Sequence, residues 1–180
     1  MRWLPWVLCP TGARLNEICQ ADKADVGTRD GVPIIRIHDE GNGLTLKNAD
    51  SRRTVPLHPA LVIEGFLDYV AGLPDGAPLW PDVRPDAVFG QRSVTAGHKV
   101  GRWLRSNLGI KDPLISPNHS WRHWFIGACR GVVMPLEVRS AITGHSAKMD
   151  ESAGYGDSMG TFVQVVARYI AMVPCPVSER

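Results

Sequence analysis

A chain of 180 residues is long enough for one domain with a real core and too short for two good ones. Apolar residues at 44% and charged residues at 21% are those of an ordinary globular protein, and a formal net charge of only +2 means that any basic surface must come from local clustering. No stretch is apolar and long enough to cross a bilayer, and the first 20 residues carry no signal-peptide pattern, so the expectation is a cytoplasmic protein without a membrane partner.

Leu4, Val7 and Leu8 read as part of a first helix, broken by Pro10-Thr11-Gly12. There is no cap or polar lead-in before Trp3, as in a chain that begins inside a domain. Ala13 to Gln20 reads as a short helix with Leu15, Ile18 and Cys19 on one face. Strands follow at Ile34–Ile37, Leu44–Leu46 and Arg53–Leu57, joined by a turn at Gly41-Asn42-Gly43 and a polar loop from Asn48 to Ser51. These predict a small three-stranded antiparallel sheet. From Pro59 the pattern turns helical, with Leu61, Val62, Phe66, Leu67 and Val70 on one stripe. Leu73 to Pro85 is rich in Pro and Gly, but its Leu79 and Trp80 suit a packed loop better than a linker. A helix is predicted from about Ser93 to Leu108, its Lys99, Arg102 and Arg105 three apart on one face. His119 to Arg130 is helical, with Trp121, Trp124, Phe125 and Ala128 in register. Pro135 to Ile142 makes a short helix, since proline suits a first turn. A final helix from about Thr161 to Met172 carries the apolar stripe Phe162, Val165, Val166, Tyr169 and Ile170, read as docking on its own core. The fold class is therefore mainly α with a small antiparallel sheet. Cys9, Cys19, Cys129 and Cys175 sit far apart without a C-x-x-C pair and read as single buried thiols, neither a zinc site nor a disulfide framework.

Chemistry resides in five short segments. Cutting a phosphodiester without a metal needs cations around the scissile phosphate, and arginine suits this because its planar fork pairs two oxygens and stays charged. It also needs a nucleophile and a proton donor for the leaving oxygen. The chain offers, in order, Thr11-Gly12-Ala13-Arg14-Leu15-Asn16-Glu17; Lys47 before the run Arg52-Arg53-Thr54-Val55-Pro56-Leu57; His119-Ser120-Trp121-Arg122-His123; Thr143-Gly144-His145; and Gly154-Tyr155-Gly156. Arg14 and Glu17 fall three apart at a helix start, as do His119 and Arg122. Taken singly, each of these residues reads as an ordinary surface or capping side chain. Of the three tyrosines, Tyr69 precedes all the histidine motifs and lies in an amphipathic helix, and Tyr169 sits on the apolar stripe of the last helix, whereas Tyr155 stands between glycines where a loop can present it.

In this order the segments resemble the signature of the tyrosine recombinases, the phage-integrase family: T-G-x-R-x-x-E, a hairpin lysine, H-x-x-R, G-H and a following tyrosine. The resemblance runs from about Trp3 to Tyr155 and also suits the last helix. It implies the catalytic-domain fold of the DNA breaking-rejoining enzymes over residues 1–180. It implies that Arg14 and Arg122 clamp the scissile phosphate, that His119 and His145 share it, and that Lys47 protonates the leaving 5′ oxygen. Tyr155 is then the nucleophile, and Glu17 supports Arg14. Lys99, Arg102, Arg105, Arg52 and Arg53 are candidate DNA contacts, and His123 reads as structural. The implied partner is double-stranded DNA, with a tetramer on DNA and a monomer without it, and with no nucleotide cofactor and no required metal. Members of the family usually carry an N-terminal helical domain that grips the far side of the DNA. Here that domain is expected to be absent and the first catalytic-domain helix to be clipped, so the isolated chain is expected to bind DNA weakly and recombine poorly. Two alternatives stay open: a type IB topoisomerase-like nicking and closing enzyme, and a truncated DNA-binding remnant without recombination activity.

Overall fold

The computed structural model describes residues 2–41, 43–46, 51–116, 119–144 and 159–175. Eight helices and three strands occur among them: α1 (Trp3–Thr11), α2 (Leu15–Cys19), β1 (Val26–Arg29), β2 (Val32–Ile37), β3 (Arg53–Pro56), α3 (Pro59–Ile63), α4 (Phe66–Ala71), α5 (Arg92–Ser106), α6 (Ser120–Gly131), α7 (Leu136–Thr143) and α8 (Met159–Met172). The fold class matches the sequence reading: mainly helical, with one three-stranded antiparallel sheet in the order β1-β2-β3.

The membership of the sheet differs from the reading. Its first strand is β1, which pairs Val26 with Ile35 and Arg29 with Val32 across a two-residue turn. Asp30 and Gly31 form that turn with φ of 49° and 78°, the mirror-image geometry that Asp-Gly favours in hairpins. Leu44–Leu46 is not a strand, because side chains take its backbone groups. The Thr45 N–H donates to Gln20 Oε1 at 3.2 Å, and the Thr45 carbonyl accepts from Asn16 Nδ2 at 3.2 Å. The predicted turn position Asn42 and the loop positions 48–50 lie outside the described residues.

The core joins the sheet to the helices. Ile35, Ile37 and Val55 are buried with Leu4, Val7, Ile18, Leu61, Phe66, Phe125, Ile142 and Ile170. Trp3, Phe66, Tyr69 and Trp80 form an aromatic cluster with ring centroids 5.6 to 6.5 Å apart. Trp80 Nε1–H donates to the Ile18 carbonyl at 2.5 Å, so the 73–85 segment is a packed loop, as expected. The helical run from Pro59 splits at Gly65, where φ is 90°. α1 continues through Pro10 to Thr11 and stops at Gly12 rather than breaking earlier. α8 packs on β3, β2 and α7, burying Val163, Val166 and Ile170, while Phe162 remains 39% exposed. All four cysteines are buried and none of them is in a disulfide among the described residues; burial pushes Cys9 and Cys19 up to about 12 and Cys129 up to about 11, so these three stay as inert thiols. Among the described residues no helix is long and apolar enough to cross a membrane.

Candidate active site

Two Thr-Gly pairs build the frame. Thr11-Gly12 ends α1 and Thr143-Gly144 ends α7. Each threonine is fully buried and turns its hydroxyl back on its own helix: Thr11 Oγ1 donates to the Val7 carbonyl at 2.6 Å, and Thr143 Oγ1 to the Arg139 carbonyl at 2.8 Å. Each glycine is left-handed, with φ of 55° at Gly12 and 60° at Gly144, which closes the helix as a C-cap. Neither has room for a side chain. A Cβ at Gly12 would lie 2.9 Å from Phe125 Cγ, and one at Gly144 would lie 2.6 Å from Arg53 Nη1.

Helix ends leave carbonyls without intrahelical partners and carry the negative end of the helix dipole, so they attract guanidinium groups. Arg122, in the first turn of α6, donates from Nη1 to the Gly12 carbonyl at 2.7 Å and from Nη2 to the Thr143 carbonyl at 2.6 Å. One buried arginine thus joins the ends of α1 and α7. Arg53, the first residue of β3, donates from Nε to the Ile142 carbonyl at 2.7 Å and from Nη1 to the Ser51 carbonyl at 2.7 Å.

Glu17 supplies the counter-charge. It is 3% exposed, and it accepts from the Arg14 backbone N–H at 2.8 Å, from Arg14 Nη1 at 2.7 Å and from Arg53 Nη2 at 2.7 Å. Burial alone pushes its carboxyl upward, but the Arg53 hydrogen bond and charge, with the Arg14 bonds, outweigh it and hold Glu17 below the usual carboxylate range. Arg122 is pulled down to about 10, first by burial and then by the Arg14 charge; Glu17 opposes the shift and Arg53 adds to it. Arg14 and Arg53 bond to Glu17, and Arg122 feels all three charges, so among the described residues three cations gather around one carboxylate. Such a gathering of guanidinium groups favours an incoming anion. The Arg14 side chain, 22% exposed, is the cation of the three most open to solvent; those of Arg53 and Glu17 are 6% and 3% exposed, and Arg122 is 7% exposed.

His119 is the exposed N-cap residue of α6, one turn before Arg122. Trp121 leans on the core as expected, whereas His123 is exposed rather than packed. Arg53 is corrected from DNA contact to buried scaffold, since Glu17, Ser51 and Ile142 hold its guanidinium inside the protein. Arg52 is exposed and donates from Nε to Asp39 Oδ1 at 2.5 Å. On α5, Lys99, Arg102 and Arg105 are all exposed; Lys99 Nζ donates to the Asp82 carbonyl at 2.7 Å and Arg105 Nη1 to the Gly101 carbonyl at 3.4 Å. The opposite face of α5, with Ala96, Val100 and Leu104, is buried. Lys47, His145 and Tyr155 lie outside the described residues. The role of Arg53 was missed, although strand alternation carries the signal: side chains two apart share a face, so Arg53 follows the fully buried Val55 inward.

No family model matches the chain, and no curated protein matches it by sequence. Solved structures do. An integrase from mycobacterium phage Brujita superposes with a TM-score of 0.62 at 16% identity, over 96% of this chain and 51% of that one. The Tn1549 transposon integrase, solved in complex with a circular intermediate DNA, gives a TM-score of 0.56 at 17% identity, over 92% of this chain and 52% of that one. The same integrase in complex with transposon right end DNA gives 0.53 at 20% identity, over 92% of this chain and 57% of that one. The chain thus spans about half the length of the integrases it resembles. At such identities the likeness is one of fold, and the fold of this chain is the one found in those phage and transposon integrases.

Proposed function

We propose that this chain is the catalytic part of a site-specific DNA recombinase of the tyrosine type, which cleaves and rejoins DNA through a covalent 3′-phosphotyrosyl intermediate. The observation that carries this reading is the arginine cluster: Arg14 and Arg122, from separate helices, share one electrostatic field around Glu17, as a phosphate clamp requires. The integrase fold supports it. In the proposed reaction Tyr155 Oη attacks the phosphorus and the P–O5′ bond breaks. The tyrosyl proton passes to His145, and the leaving 5′ oxygen takes a proton from Lys47. Arg14, Arg122 and His119 hold the charge on the non-bridging oxygens. Rejoining reverses the steps, so the phosphodiester energy stays in the tyrosyl ester and no nucleotide cofactor is called on. Double-stranded DNA is the proposed partner, with the basic face of α5 against its backbone and a tetramer forming on DNA.

The test is covalent capture. A random-sequence duplex pool carrying nicks is incubated with the chain, denatured, and scanned by mass for protein–DNA adducts. The expected adduct forms with the wild type and disappears in Tyr155→Phe and in Arg122→Gln. An adduct that survives Tyr155→Phe rejects the nucleophile. DNA retained without any adduct would mark a binding remnant instead.

A further inference from the structure

We propose that Asn16 and Gln20 are positioning residues that hold the segment leading into Lys47 in register with the arginine cluster; this rests on the strand-transfer reading above. Neither residue stands out by its chemistry in the sequence. Asn16 lies in α2 and Gln20 caps its C-terminal end, four residues apart and hence on one side of it. Their carboxamides hold both limbs of the β2–β3 connection. Gln20 Nε2 donates to the His38 carbonyl at 2.9 Å on the outgoing limb. On the returning limb, Gln20 Oε1 accepts the Thr45 N–H at 3.2 Å, while Asn16 Nδ2 donates to the Thr45 carbonyl at 3.2 Å and to Thr45 Oγ1 at 3.3 Å. Asn16 Nδ2 also reaches Gln20 Oε1 at 3.3 Å, which ties the pair together. Asn16 Oδ1 accepts from Ser93 Oγ at 2.9 Å, so the start of α5 is bound to the same side chain.

Three features make this more than loop packing. First, residues 44–46 have no ladder, so both backbone polar groups of Thr45 rest on these two side chains. Second, Thr45 stands two residues before Lys47, a chain length of roughly 7 Å, so a shift at Thr45 passes to the lysine. Third, α2 also carries Arg14 at its N-cap and Glu17 in its first turn. One five-residue helix thus fixes the phosphate-holding arginine on one side and the stem of the lysine segment on the other. The distance between a proton donor and a leaving oxygen decides rate, and about 1 Å of misplacement costs on the order of 100-fold.

The test separates positioning from folding. Asn16→Ala, Gln20→Ala and Asn16→Asp are compared with the wild type on the duplex recovered by covalent capture. It is made with an ordinary phosphodiester and with a sulfur in the 5′-bridging position. A thiolate leaving group needs little help from a proton donor, so a defect in Lys47 placement is relieved by sulfur, and a general folding defect is not. We expect each variant to cleave the phosphodiester about 10- to 100-fold more slowly, to cleave the sulfur substrate within about threefold of the wild type, and to keep its DNA affinity. Asn16→Asp keeps the acceptor for Ser93 but loses the donor to Thr45, and is expected to behave as Asn16→Ala. Hydrogen exchange at the Thr45 amide should quicken in Gln20→Ala without DNA. Equal slowing on both substrates, or unchanged exchange at Thr45, would overturn the proposal. A wild-type chain that forms no adduct on any duplex sinks the strand-transfer reading and this proposal with it, a result distinct from a normal wild type with sulfur-insensitive variants.

Discussion

Glu17 shows how a single residue sets the charge balance of the site. It is buried and bound by two arginines, while a third, Arg122, feels its field. Glu17→Gln removes the carboxylate that Arg14 and Arg53 bond to and leaves their guanidinium ions without that partner, so the expected destabilisation is about 3–5 kcal/mol by denaturant unfolding, the range for breaking a buried pair. The pH dependence has a definite direction. Because the folded protein keeps Glu17 ionised below its ordinary value of 4.5, the unfolded chain binds the proton first. The stability from Glu17 is therefore full above about pH 4.5 and drains as the pH falls through the lower folded value. A wild type whose unfolding midpoint is as flat below pH 4.5 as that of Glu17→Gln would contradict this. Gly144 gives a second residue-level prediction. Alanine there suffers the left-handed penalty of about 1–2 kcal/mol and also strikes Arg53 Nη1 at 2.6 Å. Gly31→Ala is the control: its φ is 78°, yet its added Cβ meets nothing within 4 Å. Gly144→Ala should lower the melting temperature clearly more than Gly31→Ala, and equal losses would mean that Arg53 moves aside freely.

At the scale of elements, His58 links two of them. Its Nδ1 accepts the Ala60 N–H at 3.1 Å and so caps α3, and its Nε2–H donates to the Val173 carbonyl at 3.0 Å just past α8. With Nδ1 accepting, the ring is neutral and a second proton has no place. Burial pulls His58 below its ordinary 6.5, against the weaker pull of the Val173 carbonyl toward the charged form. The unfolded chain again takes the proton first, so stability is full above pH 6.5 and declines as the pH falls below it. His58→Asn keeps a cap and removes the titration. Its melting temperature should start lower than the wild type near neutrality and fall less between about pH 7 and about pH 5; parallel curves would rule out the histidine as the cause. Elements with strong periodicity were legible in the sequence. α5, α6, α7 and α8 lie within two residues of their predicted bounds: the apolar repeats of α6 and α8 and the proline that opens α7 are local signals. β1 was missed since Val26-Gly27-Thr28-Arg29 has no apolar alternation; only Asp30-Gly31 marked the hairpin. Leu44–Leu46 alternates like a strand, but side chains from α2 captured its backbone, a tertiary event that no local pattern reports.

For the molecule as a whole, the order of the motifs was legible, and the backbone contacts that join two of the helix ends were not. Nothing in Thr-Gly predicts that the last carbonyls of α1 and α7 meet on the two ends of one guanidinium, since that depends on how α6 crosses both helices. The exposed face of α5 is the reverse case, because burial of Ala96, Val100 and Leu104 forces Lys99, Arg102 and Arg105 outward. A net charge of +2 is too small to draw DNA by bulk attraction, so a duplex would have to be held by such local stripes. Counterion release makes this measurable: each neutralised phosphate adds about 0.9 to the slope of log affinity against log salt. Fluorescence anisotropy with a labelled random duplex across a salt series should give a slope that drops by about 1.8 in Arg102→Ala/Arg105→Ala, because two arginines no longer neutralise phosphates. Arg52→Ala should change it less, since that guanidinium already spends its charge on Asp39 at 2.5 Å, and an exposed pair so formed must break before a phosphate can replace the carboxylate. An unchanged slope in the double variant would show that α5 faces away from the DNA, and a larger drop in Arg52→Ala would move the DNA-binding surface to the β2–β3 connection.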